Sequence, residues 1–231
     1  MARAPHPYVA LIAARASEAG YAWWSSRHER LDGASFAAAF AGTGRRLGAV
    51  PVALSASEDA ELARVGLPSP ASWPLSELGR VALLVAICAE LESSAALEVV
   101  SAQFKTGDNA ERAAVLHALP LLPAPERFVE LAIDACRTSV QSVFEAIACE
   151  NPYPARFFPD LNFNQLVLKA FFTGIAVRRI VGLAARNSAE LVRMANAYAS
   201  ERRAAGRSVP DDLSLVTAAP LEPRGLPGAK S

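Results

Sequence analysis

Apolar residues recur every three or four positions along most of this chain, which is the spacing of an amphipathic α-helix. The pattern predicts a first helix over residues 7–30, a second over 35–47 and a short third over 57–66. Three prolines interrupt the pattern at residues 67–74. We therefore expect a loop there, between a group of N-terminal helices (residues 1–66) and the rest of the chain.

Beyond this loop the pattern becomes more regular, with short connections between helices. Residues 81–89 are all apolar, so the helix around them should be buried on most sides. Segments 94–119 and 125–149 each have the layout of an antiparallel helical hairpin, the unit that builds an α-solenoid. Further helices are predicted over residues 76–92, 163–173, 178–183 and 188–205. The expected fold is therefore all-α: stacked antiparallel helical hairpins in a HEAT-like α-solenoid superhelix.

These helices are expected to form a single helical domain over residues 1–209, in which residues 75–209 follow the N-terminal helices. The last segment, residues 210–231, contains several prolines and glycines and a single short apolar cluster. Such composition near a terminus is typical of a flexible tail.

The charges balance, with 23 basic and 23 acidic residues among 231, while 52% of the chain is hydrophobic. A neutral balance argues against nucleic-acid binding, which needs a basic surface. The longest stretch without a charged side chain, residues 113–125, is too short for a membrane span and contains prolines. The three cysteines and three histidines of the chain are scattered, so neither a metal site nor a cofactor is expected. We expect a cytoplasmic protein.

The most distinctive segment is a corner at residues 150–159, where prolines stand at positions 152, 154 and 159. Because proline disrupts a helix interior, this corner is expected to be rigid and non-helical. Its aromatic residues are Tyr153, Phe157 and Phe158. They have two interpretations: a connector clamped by aromatic packing, or one wall of a groove for a ring-bearing ligand, with Asn151 as a polar contact.

A polar stripe follows on the next predicted helix, because Asn162, Gln165, Lys169 and Thr173 are spaced three or four residues apart. The stripe could face solvent, or it could line a groove in which Lys169 meets an anion or a carboxylate such as Glu145 or Glu150. The cations at positions 178, 179, 186, 202, 203 and 207 could likewise serve as partners of helix dipoles or form an anion site.

Several segments resemble the EboA family. These are NPYPARFFPD from Asn151, FNQLVLKAFF from Phe163, RIVGL from Arg179, ERRAAGRSVP from Glu201, and the stretch from Gly107 to residue 123 that contains RAAVLHALPLLP. The resemblance covers about residues 75–212. It implies a bacterial protein, encoded with a membrane prenyltransferase and several hydrolase- or isomerase-like enzymes, that helps to move a small hydrophobic secondary metabolite toward the cell envelope.

The family supplies no agreed catalytic residues, so the motif residues are candidates for a shared ligand or interaction surface. The candidates are Glu150, Asn151, Tyr153, Phe157, Phe158, Asn164, Gln165, Lys169, Arg179, Glu201, Arg202 and Arg207.

Two functions remain open on this basis. The first is a non-enzymatic carrier or adaptor for a small hydrophobic or aromatic metabolite. The alternative is a helical scaffold for partner enzymes or a membrane prenyltransferase encoded in the same gene cluster. With either function, the protein could lie peripherally at the inner face of the cytoplasmic membrane. An acid–base enzyme using Glu150, Tyr153, Lys169 or Glu201 is disfavoured, because no spacing in the sequence forces these side chains together.

Overall fold

The computed structural model describes residues 6–217, and every regular element within that range is a helix. An isolated antiparallel β-bridge joins Pro51 to Pro74. The chain divides into two compact units, Met1–Ala146 and Ile147–Ser231. The α-helices are α1 (Pro7–Arg15), α2 (Glu18–His28), α3 (Gly33–Leu47), α4 (Ala56–Arg64), α5 (Leu75–Glu90), α6 (Ser93–Thr106), α7 (Asn109–Ala118), α8 (Val129–Ala135), α9 (Gln141–Ala148), α10 (Tyr153–Phe157), α11 (Asp160–Thr173), α12 (Leu183–Arg186), α13 (Ala189–Ala204) and α14 (Ser214–Thr217). Short 3-10 helices cover Leu119–Leu121, Pro125–Phe128, Val177–Arg179 and Asp211–Leu213.

The all-α prediction is confirmed, and α6 and α7 pack against each other as the first predicted hairpin requires. The HEAT-like superhelix and the single domain over residues 1–209 stay predictions. Within residues 6–217, no helix combines the length and the hydropathy that crossing a bilayer would demand.

The single helix expected over residues 7–30 is wrong, because the chain breaks into α1 and α2. Ala16 adopts an extended backbone conformation, and the Ser17 hydroxyl accepts a hydrogen bond from the Gly20 N–H (3.2 Å) as the N-cap of α2. Gly20 also lies directly against α3, since a Cβ there would come within 2.6 Å of the Arg46 carbonyl oxygen. A local cap and a tertiary contact together override the continuous apolar pattern.

Helix α5 is the centre of the first unit, and α1, α2, α3, α6 and α7 all pack against it. It lies close to α3 at Gly79, where a Cβ would lie 2.4 Å from Leu47 Cδ1 and 2.9 Å from Thr43 Cγ2. The Gly79 carbonyl also accepts a hydrogen bond from the indole N–H of Trp24 (3.1 Å). Glycine at this position lets the two helices approach closely enough to form a dense core.

A layer of paired polar groups runs through the core between α5 and α7. Glu77 is hydrogen-bonded to the His117 Nδ1, and the His117 ring stacks on Trp73 at a centroid distance of 4.3 Å. Arg80 donates from Nε to the Phe40 carbonyl (3.2 Å) and faces a carboxylate on α7, that of Glu111, at 3.6 Å. Each buried charge therefore has an opposite charge or a hydrogen-bond partner, as burial of a charge requires.

In the second unit, α11 supplies the buried apolar residues Phe163, Leu166, Val167 and Ala170, and Tyr198 of α13 stacks on Phe171. The last described residues, 211–217, also pack into this unit.

Leu213 and Val216 are buried, the Asp212 carboxylate accepts the Val177 N–H (2.7 Å), and Asn187 donates to the Val216 carbonyl (2.9 Å). Thus residues 211–217, which the sequence places in the flexible tail, are helical and packed. The remainder of the predicted tail, residues 218–231, lies outside the described residues.

The close approach at Gly79 can be tested by Gly79→Ala, with Gly33→Ala in α3 as the matched control. Alanine favours a helix by about 0.5–1 kcal/mol, yet at position 79 its Cβ would overpack the α3–α5 contact, which costs about 1–3 kcal/mol. A Cβ at Gly33 would meet no atom within 4 Å.

Urea denaturation should therefore show Gly79→Ala to be less stable than the wild type and Gly33→Ala to be equal or more stable. Equal stability of the two variants would contradict the close packing.

Candidate functional site

The proline-rich corner contains a short helix, which corrects the expectation of a non-helical segment. Pro152 is the N-cap of α10, Pro154 lies in its first turn, and Pro159 is the N-cap of α11. A proline is tolerated at these positions because the first N–H groups of a helix have no partner within the helix. The prolines thus set the starts of two helices, and the corner is rigid for that reason.

The aromatic residues of the corner pack into the interior of the second unit. Tyr153 is fully buried and Phe158 is 4% exposed, while Phe157 is half-buried. The Tyr153 ring contacts Phe157 at a centroid distance of 4.8 Å and meets Phe158 edge-on at 6.3 Å. Asn151 is also buried, and its side-chain oxygen accepts the Tyr153 N–H (3.0 Å). The structure therefore places Asn151, Tyr153 and Phe158 in the core.

Arg186, one of the cations expected to be a helix-dipole partner or part of an anion site, joins this corner to α11. Its guanidinium donates to the carbonyls of Ala155 (2.7 Å) and Phe158 (2.8 Å) and to the Asp160 carboxylate (2.8 Å). It also lies 4.8 Å from the centre of the Phe163 ring. Five fixed donors suit arginine to collecting several acceptors at once. About 30 residues of chain separate Arg186 from its acceptors, so sequence spacing could not reveal this role.

Two other predicted residues form a pair at the edge of the corner. The carboxylate of Glu150 accepts two hydrogen bonds from the Arg179 guanidinium, both 2.9 Å long. The Glu150 N–H also donates to the Arg179 carbonyl (2.9 Å), and Glu150 has a positive φ of 51°. The side chains are 51% and 37% exposed, so such a pair is worth at most about 1 kcal/mol.

The polar residues of α11 do not share one environment. Asn164 is buried, Gln165 is exposed, and Asn162 and Lys169 are half-buried. The Thr173 hydroxyl donates to the Lys169 carbonyl (2.8 Å), which is a bond within the helix.

The remaining predicted residues lie at the C-terminal end of α13. Glu201 and Arg207 are exposed, and Arg202 donates from Nε to the Ser208 carbonyl (2.6 Å) while its guanidinium lies 5.8 Å from the Tyr198 ring centre. These contacts fix the end of the helix. The predicted residues thus lie in the core, in a surface pair, along α11 and at a helix end. Their shared role as an interaction surface stays a prediction.

The first unit contains a groove that the sequence analysis missed, which we call the α5 groove. Its volume is about 740 Å³. Apolar residues of α5 form its floor, namely Ala82, Val85, Ala86, Ile87 and Ala89. Apolar walls come from Pro7, Leu31, Val65 and Leu67, and the polar lining consists of His6, His28, Glu29 and Glu90.

The α5 groove exists because three helix ends stop short of the last turns of α5. Helix α1 begins at Pro7, α2 ends at His28 and α4 ends at Arg64. Three of the α5 residues that line the gap are alanines, and the apolar residues Val85 and Ala86 stay half-exposed there. One sequence signal could have indicated this: within the all-apolar run, alanines recur at 82, 86 and 89, three and four residues apart.

His28 is the polar group of the groove whose ionisation the fold changes most clearly. Its ring stacks on Trp24 at a centroid distance of 4.8 Å. Burial lowers the pKa of His28 below its ordinary value of 6.5, and the nearby Glu29 carboxylate opposes that shift more weakly. The imidazole is therefore neutral at pH 7 and can donate from one nitrogen while accepting at the other. An apolar cleft with a few such groups is typical of sites for small hydrophobic molecules.

This shift makes stability depend on pH. Between the lowered pKa of folded His28 and 6.5, the unfolded chain binds more protons than the folded protein. The contribution of His28 to the free energy of unfolding is therefore complete above pH 6.5, and it is lost as the pH falls through this window. We expect the NMR titration of His28 to have a midpoint below 6.5, and His28→Gln to flatten the fall in stability as the pH drops below 6.5. A midpoint at or above 6.5 would contradict burial of the ring.

Comparison with known proteins adds the family. The model of the EboA family, described as "Metabolite traffic protein EboA", matches residues 8–217. No significant match was found among curated proteins or solved structures. The match includes α1–α4, and thus extends beyond residues 75–212, where the sequence resemblance was noted. The chain belongs to the EboA family of metabolite traffic proteins.

Proposed function

We propose that this protein is a non-enzymatic carrier for a small hydrophobic metabolite or its precursor, and that the α5 groove is the binding site. The observation that supports the proposal is the groove itself: about 740 Å³ of space over an apolar floor. Ligand sites commonly have volumes of roughly 300–1,000 Å³ and are lined mainly by apolar side chains with a few polar groups. The family description, metabolite traffic, agrees with transfer rather than with conversion of the ligand.

The groove suits reversible binding. Apolar surface removed from water contributes roughly 25 cal/mol per Å². Several kcal/mol of the gain are offset by the translational and rotational freedom lost on association. A carrier must release its ligand, so a groove that remains partly open is suitable.

The polar groups favour a ligand with at least one hydrogen-bonding function. Neutral His28 lies at one side of the apolar floor, and the carboxylates of Glu29 and Glu90 are exposed at the lining. A hydroxyl or carbonyl on an otherwise apolar molecule would satisfy the imidazole without bringing a charge into the groove. An aromatic or prenylated precursor has this combination.

A scaffold for partner proteins of the same gene cluster is the second candidate function, and one observation favours it. Leu161 and Phe172 of α11 are 62% and 66% exposed. They are eleven residues apart, close to three helical turns, so both lie on the same side of α11. Large exposed apolar side chains are common where proteins meet. This function would use α11 in the second unit, whereas carriage would use the α5 groove in the first.

Carriage would place the protein where a membrane-bound partner can receive the ligand. We therefore propose that it works in the cytoplasm, in transient contact with the inner face of the cytoplasmic membrane. Such contact would be peripheral.

The carrier function can be tested with N-phenyl-1-naphthylamine, a neutral apolar dye that fluoresces when it leaves water. We expect the wild type to bind the dye and Ala86→Phe, which places a ring in the floor of the α5 groove, to bind it about tenfold more weakly. The matched control is Ala102→Phe, at an exposed position of α6 outside the groove lining.

Thermal unfolding should show that both variants remain folded. Equal dye affinity of the wild type and Ala86→Phe, or an equal loss in both variants, would contradict the proposed site.

A further inference from the structure

A second groove of the first unit shares no lining residue with the α5 groove. Its volume is about 590 Å³, and it lies at the end of α6, against α7, α8 and α9. We call it the cationic groove because Lys105, Arg112 and Arg137 line it, against one carboxylate, that of Asp134. Its apolar lining is Phe104, Leu131, Ala135 and Val143, and its hydroxyls are Ser101 and Thr138.

Arg112 is held firmly in this groove. It donates to the carbonyls of Phe104 (3.1 Å) and Lys105 (3.3 Å), and its guanidinium lies 5.9 Å from the Phe104 ring centre. These carbonyls belong to the last turn of α6, where the helix dipole would otherwise repel an anion. Arg112 therefore covers the negative end of α6 with a positive charge, and the groove can accept an anionic group there.

The other two cations can exchange their present environment for an anion. No hydrogen bond or ion pair engages the Lys105 ammonium within residues 6–217. Arg137 pairs with Asp134 three residues earlier, at 3.3 Å, but the two side chains are 76% and 69% exposed. An exposed pair of this kind contributes little to stability, so a second anion can compete for the guanidinium at small cost.

We infer that the cationic groove binds an amphipathic anion: a molecule with a phosphate-type head that the three cations contact and an apolar body that lies against Phe104, Leu131 and Val143. The head would receive charge-assisted hydrogen bonds, which are shorter and stronger than neutral ones. This site goes beyond the proposed carrier function, because it takes a charged ligand and uses none of the residues of the α5 groove.

The test uses n-decyl phosphate below its micelle concentration, with n-decanol and inorganic phosphate as the separate body and head. Isothermal titration calorimetry would compare the wild type with Lys105→Gln/Arg137→Gln. The matched control is Arg64→Gln/Arg193→Gln, which removes the same charge from two exposed arginines that pair with Glu61 and Glu190 three residues away. Arg112 is left unchanged because it caps α6.

We expect decyl phosphate to bind the wild type and the control with equal affinity. It should bind Lys105→Gln/Arg137→Gln, the cationic-groove variant, at least about tenfold more weakly. In Ala86→Phe, whose α5 groove is blocked, decanol and inorganic phosphate should each bind more weakly than decyl phosphate. Rising salt should weaken decyl phosphate binding to the wild type. Equal affinity of the wild type and the groove variant would overturn the inference.

Ala86→Phe separates this inference from the carrier function. It should leave decyl phosphate binding unchanged, because it blocks only the α5 groove. A loss of decyl phosphate binding in Ala86→Phe, but not in the cationic-groove variant Lys105→Gln/Arg137→Gln, would show that the probe occupies the α5 groove. That result would overturn the cationic site.

Sedimentation with phosphatidic acid vesicles, against phosphatidylcholine vesicles, identifies the source of the head group. Recruitment that the groove variant loses indicates a membrane lipid. Binding of monomeric decyl phosphate alone indicates a soluble ligand, and either result supports the site.

Discussion

Helix α5 imposes the main constraint on the first unit, because its residues from 81 to 89 are apolar on every side. An apolar helix must be covered all round, and five helices of the unit pack against it. The cover is close at Gly79, where side chains of α3 leave no room for a Cβ on α5. It is thinnest over the last turns, where the ends of α1, α2 and α4 leave Val85 and Ala86 partly exposed. The core and the α5 groove are therefore two consequences of the same apolar helix.

In the second unit, hydrogen bonds close several helix ends. Arg186 collects the terminal carbonyls of α10 together with the Asp160 carboxylate, and Asp212 caps the 3-10 helix at Val177. Ser188 caps the start of α13 through the Leu191 N–H (3.1 Å). Buried helix ends need such partners, since their terminal backbone groups are otherwise unsatisfied. The most distinctive sequence motif of the chain, the proline-rich corner, contributes to this framework with buried Tyr153 and Asn151.

The sequence predicted the helical class and many helix ends, because the residues that end helices act locally. Ser188 and Gly206 bound α13 as expected, the latter with a positive φ of 65°. The sequence failed where a contact distant in the chain decides the outcome. The break at residues 16 and 17 involves the contact of Gly20 with α3 as well as the local Ser17 cap, and Arg186 meets acceptors about 30 residues away.

The functional site was harder still to predict. The prolines and aromatic residues at 150–159 were conspicuous, yet an unusual local sequence there produces packed helix starts. The α5 groove gives little local signal, since its lining comes from the start of α1, the end of α2, the end of α4 and the last turns of α5. A cleft formed by parts so far apart in sequence requires a three-dimensional structure. Only the alanine spacing within α5 could have suggested that one side of the helix lacks full cover.

The central claim is that an apolar ligand binds over the last turns of α5. The most direct test is methyl NMR of the selectively labelled protein with bound N-phenyl-1-naphthylamine, in which intermolecular Overhauser effects report contacts between the dye and individual methyl groups. The account predicts contacts to the methyl groups of Val65, Val85 and Ile87, which line the α5 groove. Contacts confined to Leu161, Val167 or other methyl groups of the second unit would contradict it.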